Sequence, residues 1–351
     1  MTATTVAMIA LALGLDALIG EPRNAFHPVA WFGRLVGVLD REWADSDRGQ
    51  RLVGLAVAIL APLIPAGAAG GAVLLATAVH PLAGAAVAGV VLFVSSSLRS
   101  LLELTETVLE ATEGDLETAR HEIRGLVGRD VSTLSPAELR SAALESASEN
   151  LADGLVATML PFAVLAPLSL PVAAAAAAWV KGVNTLDSML GYPSKPIGTA
   201  SARLDDLVMW LPARVSALAI ALAAGDVGSL RRARAWARTP SSPNSGWPMA
   251  TLACALSVRL VKAGAYDLNP EAGLPTRADG DRAVRLVGFA AAVAVVFAVV
   301  LAAVSAAVLE ASVLNGTAVT VAAPIPTPAV TILAPMPTTG ATTVAIPEVR
   351  L

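Results

Sequence analysis

Long apolar runs separated by short, dense polar clusters set the plan of this chain. The first run, Thr4 to Ile19, has no basic segment before it and no small-residue cleavage site after it, so it reads as a retained membrane span with Asp16 near one end. The block from Leu52 to Leu98 is too long for one crossing of about 20 residues and predicts two spans meeting near His80 and Pro81. Between Arg99 and Gly128 the period changes. Leu101, Leu104, Val108 and Leu109, then Leu116, Ala119, Ile123 and Leu126, recur at helical spacing opposite Glu103, Glu106, Glu110 and Glu113. That pattern predicts an amphipathic helical pair broken at Gly114, with Asp115 capping the second helix and a solvated acidic face that carries no catalytic residue.

A capping box at Ser135-Pro136-Ala137-Glu138 starts the next helix, which should run without interruption to Gly154. The apolar stretch that follows, to Val180, contains a turn signal at Pro167-Leu168-Ser169-Leu170-Pro171. If this is the tip of a helical hairpin, Asp153 and Asn184 each lie about 15 residues from it, or roughly 22 Å at 1.5 Å per residue, and sit at one depth. Leu207 to Ala224 holds Pro212 and Arg214 and is expected to be re-entrant or interfacial. Arg231, Arg232, Arg234 and Arg238 suit a surface helix against anionic lipid, and Ser241 to Pro248 is a turn-rich loop. A clean last span covers Val284 to Leu309.

Composition agrees with a membrane protein. Hydrophobic residues make up 55% and charged residues 15%, with a mean hydropathy of +0.67, against the roughly 25% charged residues of an ordinary soluble domain. The expected fold class is all-α, a polytopic helical integral membrane protein with polar helical loops. It divides into N-terminal spans with the His27 loop (1–98), a polar helical segment (99–146), a membrane-associated catalytic core (147–270), a loop and last span (271–310) and a low-complexity Ala/Thr/Pro/Val tail (311–351). One cysteine, Cys254, excludes an intrachain disulfide, the three histidines are scattered, and a net charge of −4 argues against nucleic acid as a partner. Neither a Walker loop nor a dinucleotide fingerprint is present.

The chemistry should lie between Glu145 and Asp206, because ionisable side chains beside apolar runs are costly to place. Glu145, Glu149 and Asp153 stand at i, i+4 and i+8 on one helix face, where like charges repel by a few tenths of a kcal/mol per pair. A divalent cation such as Mg²⁺ would offset that repulsion, and a solvated acidic stripe is the plainer alternative. Lys181, Asn184 and Ser188, at i, i+3 and i+7, would face them from the second arm of the hairpin. Asp205 and Asp206 suit helix capping or catalysis, and Arg203 beside them has the planar fork that grips phosphate.

Six motifs, taken in order, resemble the adenosylcobinamide-phosphate synthase (CobD/CbiB) family of cobalamin biosynthesis. They are LDALIGEP with HPVAWFGR, VGRDVSTLSPAEL, ALESASENLADG, VNTLDSMLGY, GTASARLDDLVMWLPAR and SSPNSGWPMA, within Leu15 to Asn269. Glu21 stands where the family usually has Asp, and Leu151-Ala152 where Thr-Val is common. The resemblance implies a ligase in the cell membrane that joins a carboxylate of adenosylcobyric acid to the amine of an aminopropanol phosphate or related amino-alcohol phosphate, using ATP and Mg²⁺. Other membrane enzymes of the same pathway are implied as partners, beside the lipid bilayer. On chemical grounds Glu145, Glu149 and Asp153 suit the metal, and Glu149, Asp153, Lys181, Asp205 and Asp206 suit catalysis. Substrate contacts are expected from His27, Arg34, Asn150, Asn184, Asp187, Arg203 and Asn244, with His27 a proton carrier or a structural cap. A transporter of a polar or anionic small molecule is the alternative class. It should show internal repeats, and none is evident.

Overall fold

The computed structural model describes residues 2–314, so the tail beyond Leu314 lies outside the described residues. Helix α1 (Thr2–Ile19) stops at Gly20, whose φ of +73° turns the chain where a side chain would be strained. Helix α2 (Pro28–Leu39) begins on a histidine cap: His27 Nδ1 accepts the Val29 N–H at 3.2 Å, and Pro28 supplies the first helical φ. Helices α3 (Asp47–Leu60) and α4 (Leu63–Val79) form a 33-residue apolar unit, and α5 (Pro81–Val94) with α6 (Leu98–Ala111) a 31-residue one. The break between them falls at His80–Pro81, as the sequence predicts, with His80 Nδ1 capping Leu82 N–H at 3.1 Å. About 33 residues span some 50 Å against an apolar bilayer core of about 30 Å, so the polar end carrying Asp47 and Arg51 projects from the membrane.

Helix α7 (Leu116–Glu122) starts at Asp115, whose carboxylate accepts the N–H groups of Glu117 and Thr118, both at 3.1 Å. The capping box then opens α8 (Pro136–Leu151), with Ser135 N–H donating to Glu138 at 2.8 Å. Helix α8 does not run on unchanged to Gly154. It widens into a π turn (Ala152–Val156) before α9 (Ala157–Leu165), and α10 (Leu170–Leu190) returns antiparallel, making Ala166 to Ser169 the hairpin tip. At Gly154 in the π turn, a Cβ would stand 2.6 Å from Ser97 Oγ, and the Gly154 carbonyl accepts the Ser97 N–H at 2.9 Å. The glycine therefore lets the start of α6 close on the hairpin.

Helices α11 (Thr199–Val208) and α12 (Trp210–Ala223) meet at 47°, the geometry of a broken span or of a re-entrant segment. After the short α13 (Gly228–Ala233) the chain comes back, because Asn244 donates to the Asp206 carbonyl at 2.7 Å just before α14 (Gly246–Leu256). A two-stranded antiparallel hairpin follows, β1 (Leu260–Lys262) and β2 (Tyr266–Leu268), with Val261 opposite Asp267. It is pinned to α8 by Val261 N–H donating to Ser141 Oγ at 2.8 Å. Helix α15 (Arg277–Leu314) is the last span.

The main core joins Ile9, Leu92, Leu151, Phe162, Ile220, Leu252 and Ala298, among others. Much of the helix contact runs through small residues: Ala173, Ala174 and Ala177 of α10 are fully buried, and a Cβ on Gly70 would meet Ala175 Cβ at 3.1 Å. Among the described residues four helical units are long and apolar enough to cross a bilayer, or five if the bent pair counts as one. The protein is an all-α polytopic membrane protein.

Candidate active site

Five stretches distant in sequence converge on one cavity of about 460 Å³. Its lining comes from the 124–128 segment, the end of α8 with the π turn, α10, the α11–α12 bend and the Ser242–Ser245 loop with the start of α14. Four carboxylates, Glu149, Asp153, Asp187 and Asp205, face this space together with one guanidinium, Arg124. The hairpin expected from the sequence supplies the central contact: Asn184 Nδ2 donates to Asp153 Oδ2 at 3.2 Å, across 31 residues of chain. Two further carboxylate oxygens, Asp187 Oδ1 and Asp205 Oδ1, are buried and have no hydrogen-bond partner. Such atoms are expensive unless a cation or donor arrives.

The sequence candidates separate on this geometry. Glu149, Asn150, Asp153, Asn184, Asp187, Asp205 and Asn244 line the cavity. Asn150 turns its amide back on α8, donating to Ser146 O at 3.0 Å and Ser146 Oγ at 2.8 Å, which leaves its carbonyl oxygen for a ligand. Asn244 is engaged at both ends, accepting from Arg214 and donating to Asp206 O, so it locks the loop against the α11–α12 bend. Asp206 itself turns toward Ser242, whose hydroxyl donates to it at 3.3 Å.

Glu145 does not join Glu149 and Asp153. Steps of four residues advance 400°, so an i, i+4, i+8 stripe drifts by about 40° per step, and the π turn shifts Asp153 further. Glu145 is 4% exposed and its carboxylate accepts from Ser141 Oγ at 2.8 Å, Tyr266 Oη at 2.8 Å and Arg129 Nη2 at 3.1 Å. Those three donors satisfy it where it stands. Among the described residues no three His, Cys, Asp or Glu side chains converge to enclose a metal ion, so the Glu145–Glu149–Asp153 set is not a preformed metal site.

The expected cations are also elsewhere. Arg203 and Arg34 are exposed and do not line the cavity, and Arg34 donates to Asn24 O at 3.5 Å. Lys181 lines a separate apolar cavity of about 430 Å³ with Trp31, Phe32 and Thr185 and not the acidic one, although its charge is near enough to act on Asp153. His27 is buried, and its Nδ1 is used as the α2 cap. Burial holds its imidazole below the usual range, which matches a neutral ring accepting a hydrogen bond. Outside the apolar spans, on α8, burial raises Glu149 above the ordinary carboxylate range and the neighbouring Asp153 and Glu145 charges raise it further. Ser188, expected from the sequence to face the carboxylates, lines the cavity, and so do Arg124, Tyr192, Ser242 and Ser245, which the sequence did not mark as site residues. Tyr192 and the serines fall within the quoted motifs or beside them, whereas Arg124 sits in a stretch whose charge pattern reads as solvated surface.

Two carboxylates held in a membrane-associated helical hairpin, with a third and fourth brought by α10 and α11, define a polytopic membrane protein with an acidic, solvent-reachable site. Residues 9–296 match the CobD/Cbib protein family. The chain is 40% identical over 277 residues to "Cobalamin biosynthesis protein CobD" of Geobacter metallireducens, covering 76% of this chain and 84% of the relative. It is 38% identical over 258 residues to the protein of the same name from Klebsiella pneumoniae (70% and 79% covered), and 35% identical over 268 residues to "Cobalamin biosynthesis protein CbiB" of Salmonella paratyphi A (73% and 82% covered). The chain belongs to the CobD/CbiB family and has a role in cobalamin biosynthesis. No solved structure matches it.

Proposed function

We propose that this chain is an amide-forming ligase of the cell membrane, an adenosylcobinamide-phosphate synthase. Adenosylcobyric acid would supply the carboxylate and an aminopropanol phosphate or related amino-alcohol phosphate the amine, with ATP as co-substrate. The observation that carries this reading is the cavity with four carboxylates and two unpartnered buried carboxylate oxygens, in a chain of this family. A carboxylate is a poor acyl donor. Transfer of the terminal phosphoryl group of ATP to it gives an acyl phosphate and ADP, and attack by the amine then forms the amide and releases phosphate. The amine enters as an ammonium ion, which an acidic cavity attracts, and it must lose protons to become a nucleophile.

Asp153 suits the base. Asn184 holds one of its oxygens, which fixes the carboxylate and leaves the other free toward the cavity. Glu149, a turn earlier and readily protonated, suits exchange of a proton with the leaving phosphate or the solvent. Among the described residues no carboxylate set encloses a metal ion by itself, so Mg²⁺ would be shared with substrate phosphate oxygens and water, with Glu149, Asp153, Asp187 and Asp205 of the cavity lining as its protein donors. When bound, Mg²⁺ supplies positive charge against phosphate oxygens. Asn150, through its carbonyl oxygen, and Ser188 suit substrate hydroxyl and amide groups.

The loops that meet here share one side of the membrane. Ser100 donates to Glu21 at 2.7 Å, and Lys195 pairs with Asp40 at 2.5 Å, tying the 21–51, 99–150 and 181–204 stretches together. That side is the cytoplasmic one in this reading, where ATP is available. The test is incubation of purified protein with adenosylcobyric acid, aminopropanol phosphate and MgATP, following corrinoid mass and nucleotide product. Expected is a corrinoid heavier by the amine less one water, with ADP formed in step. Corrinoid of unchanged mass under these conditions overturns the proposal.

A further inference from the structure

Beside the acidic cavity lies a second, smaller one of about 220 Å³ that shares Gly128, Glu149 and Tyr192 with it. It is below the roughly 300–1,000 Å³ of a site that encloses a whole small molecule, so it suits one end of a ligand whose remainder lies in the larger space. Its ionisable lining differs in kind from that of its neighbour. Lys262, from the end of β1, and Arg129, from the 126–130 loop, face it along with Glu145 and Glu149. Glu145 is already satisfied by Ser141, Tyr266 and Arg129, so it offers little repulsion to an incoming anion.

The cations are less completely used. The Lys262 side chain makes no hydrogen bond or ion pair, its ammonium lying 6.0 Å from the centroid of the Tyr266 ring. Arg129 spends one terminal nitrogen on Glu145, while its Nε is buried and has no partner. Arg124, on the adjoining wall of the larger cavity, likewise has no ion pair. A buried donor without a partner is costly, so the arrangement favours a ligand that brings acceptor oxygens.

Resting on the ligase reading, we propose that the small cavity lined by Arg129 and Lys262, with Arg124 in the adjoining larger cavity, is a phosphoryl-binding subsite. The acidic cavity next to it takes the ammonium and the metal-bound end of the reaction. Guanidinium nitrogens and a lysine ammonium are the groups that hold phosphate oxygens, and neither Lys181, Arg34 nor Arg203 reaches this place. The β1–β2 hairpin thereby gains a role: pinned to α8 through Val261 and Ser141, it presents Lys262 across from the 126–130 loop. The phosphoryl group could belong to the nucleotide or to the amino-alcohol phosphate, since both carry the same oxygens.

The test uses the full-length protein in lipid nanodiscs and measures binding of three probes separately: the magnesium complex of a non-hydrolysable ATP analogue, aminopropanol phosphate, and unphosphorylated aminopropanol. Lys262→Met, near the hairpin turn, should weaken one phosphorylated probe about tenfold or more and leave the unphosphorylated amine unchanged, with Lys262→Arg largely restoring the loss. Which probe weakens identifies the source. Arg124→Met provides a second variant outside the Glu145 network and should weaken the same probe. Unchanged affinity for both phosphorylated probes in both variants overturns the subsite, and so does equal weakening of all three probes. If Lys262→Met weakens a phosphorylated probe yet wild-type protein forms no amide, the subsite stands and the ligase reading fails. If amide forms with wild-type kcat and KM in both variants, the ligase reading stands and the subsite fails.

Discussion

Replacing Arg129 by Met tests whether Glu145 is a buried, charged clamp rather than a metal ligand. The carboxylate is 4% exposed and has three donors, of which only Arg129 carries a charge within hydrogen-bond reach. Removing one partner of a buried ion pair costs about 3–5 kcal/mol. Here Ser141 and Tyr266 remain as neutral donors and Lys262 is a nearby positive charge, so the expected loss is smaller, about 2–3 kcal/mol. Tyr266→Phe removes one hydrogen bond to a charged acceptor that keeps Arg129, and should cost about 1.5 kcal/mol. Adding Glu145→Gln to Arg129→Met should return part of the loss, because the stranded charge goes with it.

The pH dependence has a defined sign. Burial already raises Glu145 above its ordinary value, and loss of the arginine raises it further. A carboxyl whose folded pKa exceeds its unfolded value of about 4.3 favours the folded state when protonated, and that advantage fades as pH rises, by at most about 1.4 kcal/mol per unit. The deficit of Arg129→Met should therefore be small near pH 5 and largest near pH 8. Equilibrium unfolding in mixed micelles at a series of pH values measures it. A deficit that is the same at both ends of the range, or no larger than that of Tyr266→Phe, would refute the clamp.

Three further outcomes are expected. Glu149→Gln and Asp153→Asn should each lower kcat by about 10²-fold or more while leaving the unfolding transition near that of the wild type, since Gln replaces a readily protonated carboxyl and Asn removes a charge from a crowded acidic set; retained turnover with unchanged Mg²⁺ dependence would return Glu149 and Asp153 to a structural role. Arg203→Met should give wild-type kcat and KM, because Arg203 is exposed and off the cavity; a selective rise in KM for a phosphorylated substrate would place it in the site. Single cysteines at Glu138 and Lys195 should react with an impermeant reagent from one and the same side of the membrane, against low background because the native Cys254 is buried; labelling from opposite sides would contradict the loop contacts.

The parts of the site legible in the sequence are those fixed by counting along a regular helix. Equal arms about PLSLP put Asp153 opposite Asn184, and a hydrogen bond of 3.2 Å joins them. The histidine–proline break and the capping box were legible for the same reason, since each is a local rule acting over a few residues. What counting misses is rotation about the helix axis. The π turn at Ala152–Val156 adds a residue to one turn, and with the ordinary drift of a four-residue spacing it moves Asp153 into the cavity while Glu145 turns toward the β1–β2 hairpin. A helical-wheel argument cannot foresee that, because ADGLV carries no proline and its Gly154 reads equally well as a helix end.

The cations are legible only in part. Lys181 shares a face with Asn184 and Ser188 and its charge acts on Asp153, yet its side chain lines a different cavity. The first turns of this stretch of α10 face the apolar cavity beside Trp31 and Phe32, and only from Asn184 onward does the helix meet the acidic one. Long side chains near apolar segments reach for the nearest polar edge, so position along the chain alone does not say which cavity a lysine enters. Arg124 falls in the amphipathic stretch whose charges read as a solvated face and sits in a short 3-10 turn, whereas Arg129 and Lys262 lie on a loop and a three-residue strand, where no periodicity exists to assign a face. Rigid helices thus carry the carboxylates, whose spacing a metal or proton transfer constrains, while the shorter irregular segments carry the positive charges. Tertiary packing alone brings the two sets to adjoining walls of one cleft.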